Sequence, residues 1–148
     1  MGQIRSIEKA EQWQSMIAVD TNVAVRMLMR DDERQWAVAD RVFRTSRIWL
    51  ATTVLLEIEW VLRGGYGLEA KEIAGALRRL CKLENVSLEN AEALDAALEA
   101  LEGGFDFADA LHATTSASSG VERLVTFDKA FASRARRGSI GLAVELIR

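Results

Sequence analysis

The sequence has 148 residues, of which 49% are hydrophobic and 28% charged, and this balance is typical of one compact globular domain. Its formal net charge of −3 gives no indication of a nucleic-acid partner, so any such binding depends on local patches or on a bound cation. The single cysteine, Cys81, excludes an internal disulfide and a cysteine-based zinc cluster.

The beginning of the chain differs in character from the rest. Residues 1–15 show no clear hydrophobic period and no apolar signal-peptide core. We interpret them as an N-terminal extension, for which an alternative start, a frayed helix and an expression remnant are all open, and we assign it no functional role. We assign residues 16–148 to one domain. No apolar run approaches the roughly 20 residues needed to span a bilayer, and we therefore expect a cytoplasmic protein that does not associate with membranes.

The first predicted strand is the apolar run Met16–Val19, which ends at Asp20. Asn22 is predicted to cap the helix that follows, because its side chain can accept a hydrogen bond from a free backbone N–H. A second helix is predicted to begin with the acids Asp31–Glu33 and to reach about Phe43.

Later segments repeat this alternation of short apolar runs and helical patterns. A strand at Ile48–Ala51 leads into a helix that begins at Thr52–Thr53 and ends near Gly64–Gly65. Further helices are predicted from Glu69 to Lys82, from about Asn90 to Leu101 and from about Asp106, with strands at Leu124–Thr126 and, weakly, at Leu142–Val144. Because parallel strands need crossover helices, this order predicts a three-layer α/β fold with helices on both faces of a parallel sheet.

Two acids closely follow predicted strands. Asp20 comes directly after Ile17–Val19, and Asp128 lies two residues beyond Leu124–Thr126. In an open parallel sheet, ligands bind beyond the carboxyl ends of the strands, so we expect both carboxylates at this edge. The alternative is that both are ordinary acids of surface loops.

A third acid is predicted on the helix that follows the second strand. Glu57 flanks the apolar stripe of this helix, whose members are Val54, Leu55, Ile58, Val61 and Leu62. Glu59 flanks the same stripe on its opposite edge. Periodicity alone does not choose between the two glutamates, and either can be a solvated residue.

Asp106 and Asp109 are three residues apart on one predicted helix face, where like charges repel unless a cation compensates them. For Asp106 the alternative is a role at the start of the helix, where a carboxylate is favourable as a cap. His112 shares the face of Asp109 and can contact a substrate, although a packed or partly buried histidine is the more ordinary interpretation.

The donor chemistry of these acids favours a hard cation. Carboxylates from several elements, with one histidine and no cysteine cluster, favour Mg²⁺ or Mn²⁺ over zinc. The reaction that this predicts is phosphodiester hydrolysis, in which the cation activates a water and stabilises charge on the phosphate. No serine, cysteine or histidine nucleophile is required.

Four segments together resemble a known family. They are Asp20-Thr-Asn-Val after the first strand, Leu-Leu-Glu57-Ile-Glu-Trp, Asp106-Phe-Ala-Asp109-Ala-Leu-His, and Thr126-Phe-Asp128-Lys-Ala-Phe. In this order they resemble PIN-domain ribonucleases, and among them the VapC-type toxins of type II toxin–antitoxin systems. The resemblance runs from Met16 to about Phe131 and continues to the C-terminus.

The resemblance implies a three-layer α/β/α PIN-like domain with a short, mostly parallel central sheet. It implies a hydrolase that acts as a Mg²⁺-dependent endoribonuclease, with Mn²⁺ as a possible substitute. The implied catalytic acids and metal ligands are Asp20, Glu57, Asp109 and Asp128, with Asp106 as a further ligand and Asn22 and Thr126 as supporting polar residues.

The resemblance also implies partners, namely an RNA substrate, a cognate antitoxin protein that blocks the active site, and a second copy in a homodimer. Nearby arginines can bind the RNA backbone, and Arg134, Arg136 and Arg137 form their densest group. The alternative for most of these arginines is a solvated helix face.

Two other functions remain open from the sequence. Asp20 can serve as a phosphoryl-accepting nucleophile, as in aspartyl-phosphate phosphatases, with Lys129 as a phosphate ligand. Those enzymes typically carry a second acid two residues later, where this chain has Asn22. A non-catalytic PIN-like interaction module is the other alternative, although clustered carboxylates repel one another unless they hold cations or share protons.

Overall fold

The computed structural model describes residues 15–138 and 140–148. These residues form two compact units. The first contains the chain up to Val61 together with Ala76–Glu89, and the second contains Leu62–Gly75 and Asn90–Arg148. The predicted N-terminal extension, residues 1–15, lies outside the described residues except for Ser15.

Short strands and helices alternate along the described chain. The strands are β1 (Met16–Ala18), β2 (Arg47–Leu50), β3 (Val86–Leu88), β4 (Arg123–Thr126) and β5 (Ala143–Leu146). The helices are α1 (Thr21–Met29), α2 (Glu33–Thr45), α3 (Thr52–Gly64), α4 (Ala70–Cys81), α5 (Ala91–Glu102), α6 (Phe107–Ser118) and α7 (Lys129–Arg137). No helix of the described part is long and apolar enough to cross a membrane.

The first unit contains a parallel sheet with the strand order β1-β2-β3. In the central strand, Ile48 and Leu50 are fully buried while the intervening Trp49 is only partly buried, which is the period of two that a strand imposes. Ile48 lies opposite Ile17 on one neighbour and opposite Val86 on the other. A row of apolar side chains therefore crosses all three strands.

The first helix of this unit, α1, begins at Thr21, whereas the sequence predicted Asn22 as its cap. Asp20 is the N-cap of α1, because its backbone is extended and its side chain accepts a hydrogen bond from the N–H of Val23. Asn22 lies in the first turn and is exposed, so the prediction that it caps the helix is wrong. The predicted acidic start of the next helix is confirmed, since Asp32 caps α2.

The second unit is built around two helices that pack against each other, α5 and α6. Their contact includes a buried hydrogen bond of 2.9 Å, which the hydroxyl of Thr114 donates to the carbonyl of Ala93. The face of α6 that packs into this unit is buried, and its apolar members are Phe107, Ala110, Leu111 and Ala113. This buried face fixes the start of α6, where two of the candidate acids lie.

A two-stranded parallel sheet, β4-β5, completes the second unit. The strands are joined through α7, a helix that the sequence analysis did not predict. Buried Phe131 and Ile140 form a small core with Ala113, against which Leu124 and Val144 pack. The α/β class and the parallel pairing predicted from the sequence are thereby confirmed in both units.

Candidate active site

In the first unit, a hydrogen bond links the segment after β1, which carries Asp20, to the helix that carries Glu57. Asp20 follows the buried Val19 and is exposed at the start of α1. The neighbouring Thr21 is 9% exposed, and its hydroxyl donates a hydrogen bond of 3.1 Å to Oε2 of Glu57 on α3. One hydrogen bond thus connects the residue beside Asp20 to Glu57.

The structure distinguishes between the two glutamates of α3. Glu57 is exposed and accepts the hydrogen bond from Thr21, whereas Glu59 is only 3% exposed. Of the two, Glu57 combines contact with the Asp20 segment and access to solvent. A ligand for a hydrated ion needs access to solvent, which the buried Glu59 lacks.

In the second unit, three candidate acids line one cavity of about 340 Å³. We call it the acid cavity; it is lined by Asp106, Asp109, Asp128, Phe105, Phe131, Ala130 and Arg134. The three acids come from two different helix starts, at α6 and α7. The structure therefore brings together three of the residues that the sequence predicted as metal ligands.

Capping interactions hold two of these three acids. Oδ1 of Asp106 accepts from the N–H of Asp109 at 3.1 Å, and Oδ1 of Asp128 accepts from the N–H of Phe131 at 3.0 Å. The N–H of Asp128 in turn donates to the hydroxyl of Thr126 at 3.0 Å. Asp106 thus caps α6, which is the role that the sequence offered as the alternative to metal binding. Thr126 orients the turn that carries Asp128.

The surroundings of Asp109 disfavour the charged form of its carboxyl. Partial burial raises the pKa of its carboxyl above the ordinary value of 3.8, and the charges of Asp106 and Asp128 raise it further. His112 acts in the opposite direction on this pKa. His112 itself is exposed, so the interpretation of a packed or partly buried histidine is wrong.

A hydrated magnesium ion fits this donor set. Within the described residues, no three histidine, cysteine, aspartate or glutamate side chains are grouped closely enough to hold one ion. Mg²⁺ does not need such a cage, because it keeps several waters and commonly takes only one or two carboxylates together with substrate phosphates. The cavity has room for such waters, each of which occupies about 30 Å³ in the liquid.

Two contributions were missed by the sequence analysis. Thr21 belongs to the motif that begins at Asp20, but its hydrogen bond to Glu57 joins residues 36 positions apart, and no pattern within either segment predicts such a bond. Arg134 was noted only as part of a basic group, whereas the structure places it in the wall of the acid cavity. Asn22 lines a different cavity, of about 520 Å³, which Val23 and Arg26 also line.

Comparison with protein-family models identifies the chain. The model of the PIN domain matches residues 17–137, from β1 to the end of α7. The chain belongs to the PIN-domain family. PIN domains are generally nucleases that use divalent metals and act on RNA, and the matched range includes all five candidate acids of this PIN domain. A search among curated proteins found no match to the chain.

Proposed function

We propose that this PIN domain is a metal-dependent endoribonuclease that hydrolyses phosphodiester bonds of RNA. The observation that carries the proposal is the acid cavity, where the partly buried Asp109 lies among the charges of Asp106 and Asp128. Charges of one sign are costly when gathered in a partly buried place, and a divalent cation removes that cost. A hard cation can supply the activated water and the charge stabilisation that favour phosphodiester hydrolysis.

When bound, Mg²⁺ or Mn²⁺ supplies a water of lowered pKa and a positive charge beside the phosphate. The residues of the chain would hold this cation and orient the side chains that bind it. Asp128 uses Oδ1 for the N–H of Phe131, which leaves its Oδ2 available as a ligand. Asp109 offers a carboxylate that is not used as a helix cap, and Asp106 steadies the turn that carries it.

We propose that Asp20 and Glu57 are catalytic acids and metal ligands as well. The support is the hydrogen bond from Thr21, which holds Glu57 beside the turn where Asp20 caps α1. Each of Asp20, Glu57, Asp109 and Asp128 is then required for RNA cleavage. Asp106 is proposed as a further ligand, and Asn22 and Thr126 as supporting residues.

We further propose that the protein is the toxin component of a toxin–antitoxin pair that acts in the cytoplasm as a homodimer. The support is the ordered set of four motifs that resembles VapC-type toxins, together with membership of the PIN-domain family. We also propose that the PIN domain extends beyond the matched range and comprises residues 16–148. The family membership also favours a nuclease over an aspartyl-phosphate phosphatase.

RNA cleavage in the presence and absence of metal tests the enzymatic proposal. Purified protein is expected to cut a mixed-sequence single-stranded RNA with Mg²⁺ or Mn²⁺, to lose activity in EDTA, and to regain it when the cation is restored. Asp109→Asn should mimic the chelator, because it removes a ligand charge. Asp95→Asn is the matched control, since Asp95 is exposed on α5 outside the motifs. Equal cutting in EDTA, or full activity of Asp109→Asn, would contradict the proposal.

Expression in growing bacteria tests the toxin assignment. The intact chain without a partner is expected to arrest growth, and Asp20→Asn is expected to relieve the arrest while the protein stays folded. Asparagine caps a helix about as well as aspartate, so this change removes charge and keeps the start of α1. A folded Asp20→Asn protein that remained equally toxic would count against catalysis as the cause.

A further inference from the structure

A second cavity of about 450 Å³ lies beside the acid cavity in the second unit. We call it the arginine cavity; it is lined by Gly103, Gly104, Phe105, Arg134, Arg137 and Gly138. Phe105 and Arg134 line both cavities. The two cavities therefore share a wall that carries one aromatic ring and one guanidinium group.

Glycines keep the arginine cavity open. Gly104 has φ +98°, a conformation that side chains rarely adopt, and a Cβ added there would lie 3.6 Å from Nη1 of Arg134. A Cβ added to Gly138 would lie 2.8 Å from Cε2 of Phe105, closer than Cβ atoms pack, so the ring would have to shift. Side chains at these positions would occupy the space beside the ring and the guanidinium.

The charge of this cavity is positive and faces solvent. Arg134 and Arg137 are exposed, and Nη2 of Arg137 donates to the hydroxyl of Ser133 at 2.9 Å, which holds this side chain along α7. Among the described residues, neither guanidinium forms an ion pair with a carboxylate. Both arginines lie in the last turn of α7, where a cation also interacts favourably with the helix dipole. Arg136 has that same advantage but lines neither cavity.

We propose that the arginine cavity binds a backbone phosphate of a single-stranded RNA whose neighbouring phosphodiester occupies the acid cavity. This proposal rests on the proposed ribonuclease function and names a substrate subsite for it. Guanidinium groups match phosphate oxygens with paired hydrogen bonds, and Arg134 belongs to both cavities. The acids alone repel phosphate, so a strand is held best where the arginines contact the phosphate next to the one that is cut.

Binding without cleavage tests the subsite. The probe is a fluorescein-labelled RNA of about 12 nucleotides and mixed sequence, measured by anisotropy in EDTA over a salt series. Arg134→Gln and Arg137→Gln are each expected to weaken binding by at least about threefold and to lower the slope of log affinity against log salt by about 0.7, the value for one lost contact to a single strand. Arg136→Gln, the matched control, should bind like the unmodified protein.

Thermal denaturation of the three glutamine variants serves as the control for stability. Each variant loses one favourable interaction with the dipole of α7, so their Tm values should change by similar amounts. Arg134→Lys provides a second variant that keeps the charge and loses the planar fork, and its affinity should lie between those of the unmodified protein and Arg134→Gln. If all three glutamine variants lose the same affinity, or none loses any, the subsite is overturned.

Cleavage assays with Mg²⁺ separate this inference from the function on which it rests. If the unmodified protein cuts RNA but Arg134→Gln and Arg137→Gln bind as tightly as Arg136→Gln, the subsite fails and the ribonuclease proposal stands. If the protein cuts no RNA under any condition, while the two cavity variants still lose affinity selectively, the ribonuclease proposal fails and the phosphate site stands.

Discussion

Asp128 has two roles that a pair of substitutions can separate. Its Oδ1 caps α7 by accepting from the N–H of Phe131, and its side chain lines the acid cavity. Asp128→Asn keeps the cap and removes the charge, whereas Asp128→Ala removes both. We therefore expect both variants to lose RNA cleavage and only the alanine variant to lose stability.

The magnitudes follow from the geometry of the cap. Replacing a capping aspartate by alanine costs about 1 kcal/mol, within a range of about 0.5–2 kcal/mol, while asparagine caps about as well as aspartate. For a chain of 148 residues, a loss of about 1 kcal/mol lowers the Tm by about 2–4 °C. Asp128→Asn should therefore melt within about 1 °C of the unmodified protein.

The assay combines thermal denaturation in EDTA with RNA cleavage over a Mg²⁺ titration. Asp32 provides the matched control, because it caps α2 by accepting from the N–H of Gln35 at 3.0 Å and is not a candidate ligand. Asp32→Ala should lower the Tm by a similar amount and leave cleavage intact. If Asp128→Asn cuts RNA at the full rate, the carboxylate acts only as a cap and our assignment of Asp128 is refuted.

Three further predictions concern the hydrogen bond, the electrostatics and the core. Thr21→Val removes the donor to Glu57 and should reduce kcat/KM for RNA cleavage by about 10- to 100-fold, as loss of a group that orients a metal ligand does, while Thr21→Ser retains activity. Because the pKa of Asp109 is raised in the folded state, the contribution of Asp109 to the stability of metal-free protein should fall as the pH rises from below 3.8 through the raised value. The difference in Tm between the unmodified protein and Asp109→Asn isolates this contribution, and Asp109→Asn should melt about 1–2 °C higher at neutral pH; an equal or lower Tm would contradict the repulsion. Phe107 is 1% exposed, so Phe107→Ala should cost about 3–5 kcal/mol in urea unfolding, and a loss under about 1 kcal/mol would show that this core is loosely packed.

The strands and most helices could be predicted because their signals are local. Ile48 and Leu50 form a short apolar run, and Asp32 precedes its helix as a capping residue. The helix α7 escaped prediction because its apolar face is small: the buried Phe131 and Ala132 and the partly buried Ala135 lie on it, in a nine-residue segment rich in arginine. A short basic helix of this kind is defined by the core that it packs against.

The limits at the site have the same origin. Asp20 was predicted as a ligand, but its use as the cap of α1 was assigned to Asn22, since both residue types cap helices well. Periodicity left Glu57 and Glu59 equivalent, and they are separated by the contact of Glu57 with Thr21, from another helix, and by the burial of Glu59. Burial of the carboxyl and the charge of Asp106 raise the pKa of Asp109, and Asp128, which lies 19 positions later in the sequence, raises it further.

The capping bonds at Asp20, Asp106 and Asp128 have a consequence for how an ion enters this protein. Each of these carboxylates is preorganised by a backbone N–H before any cation arrives, so ion binding does not have to order the side chain. In zinc fingers, by contrast, the metal creates the fold that binds it. We therefore expect the proposed cation to be exchangeable: prolonged dialysis against chelator should leave an intact fold that accepts Mn²⁺ in place of Mg²⁺ without refolding.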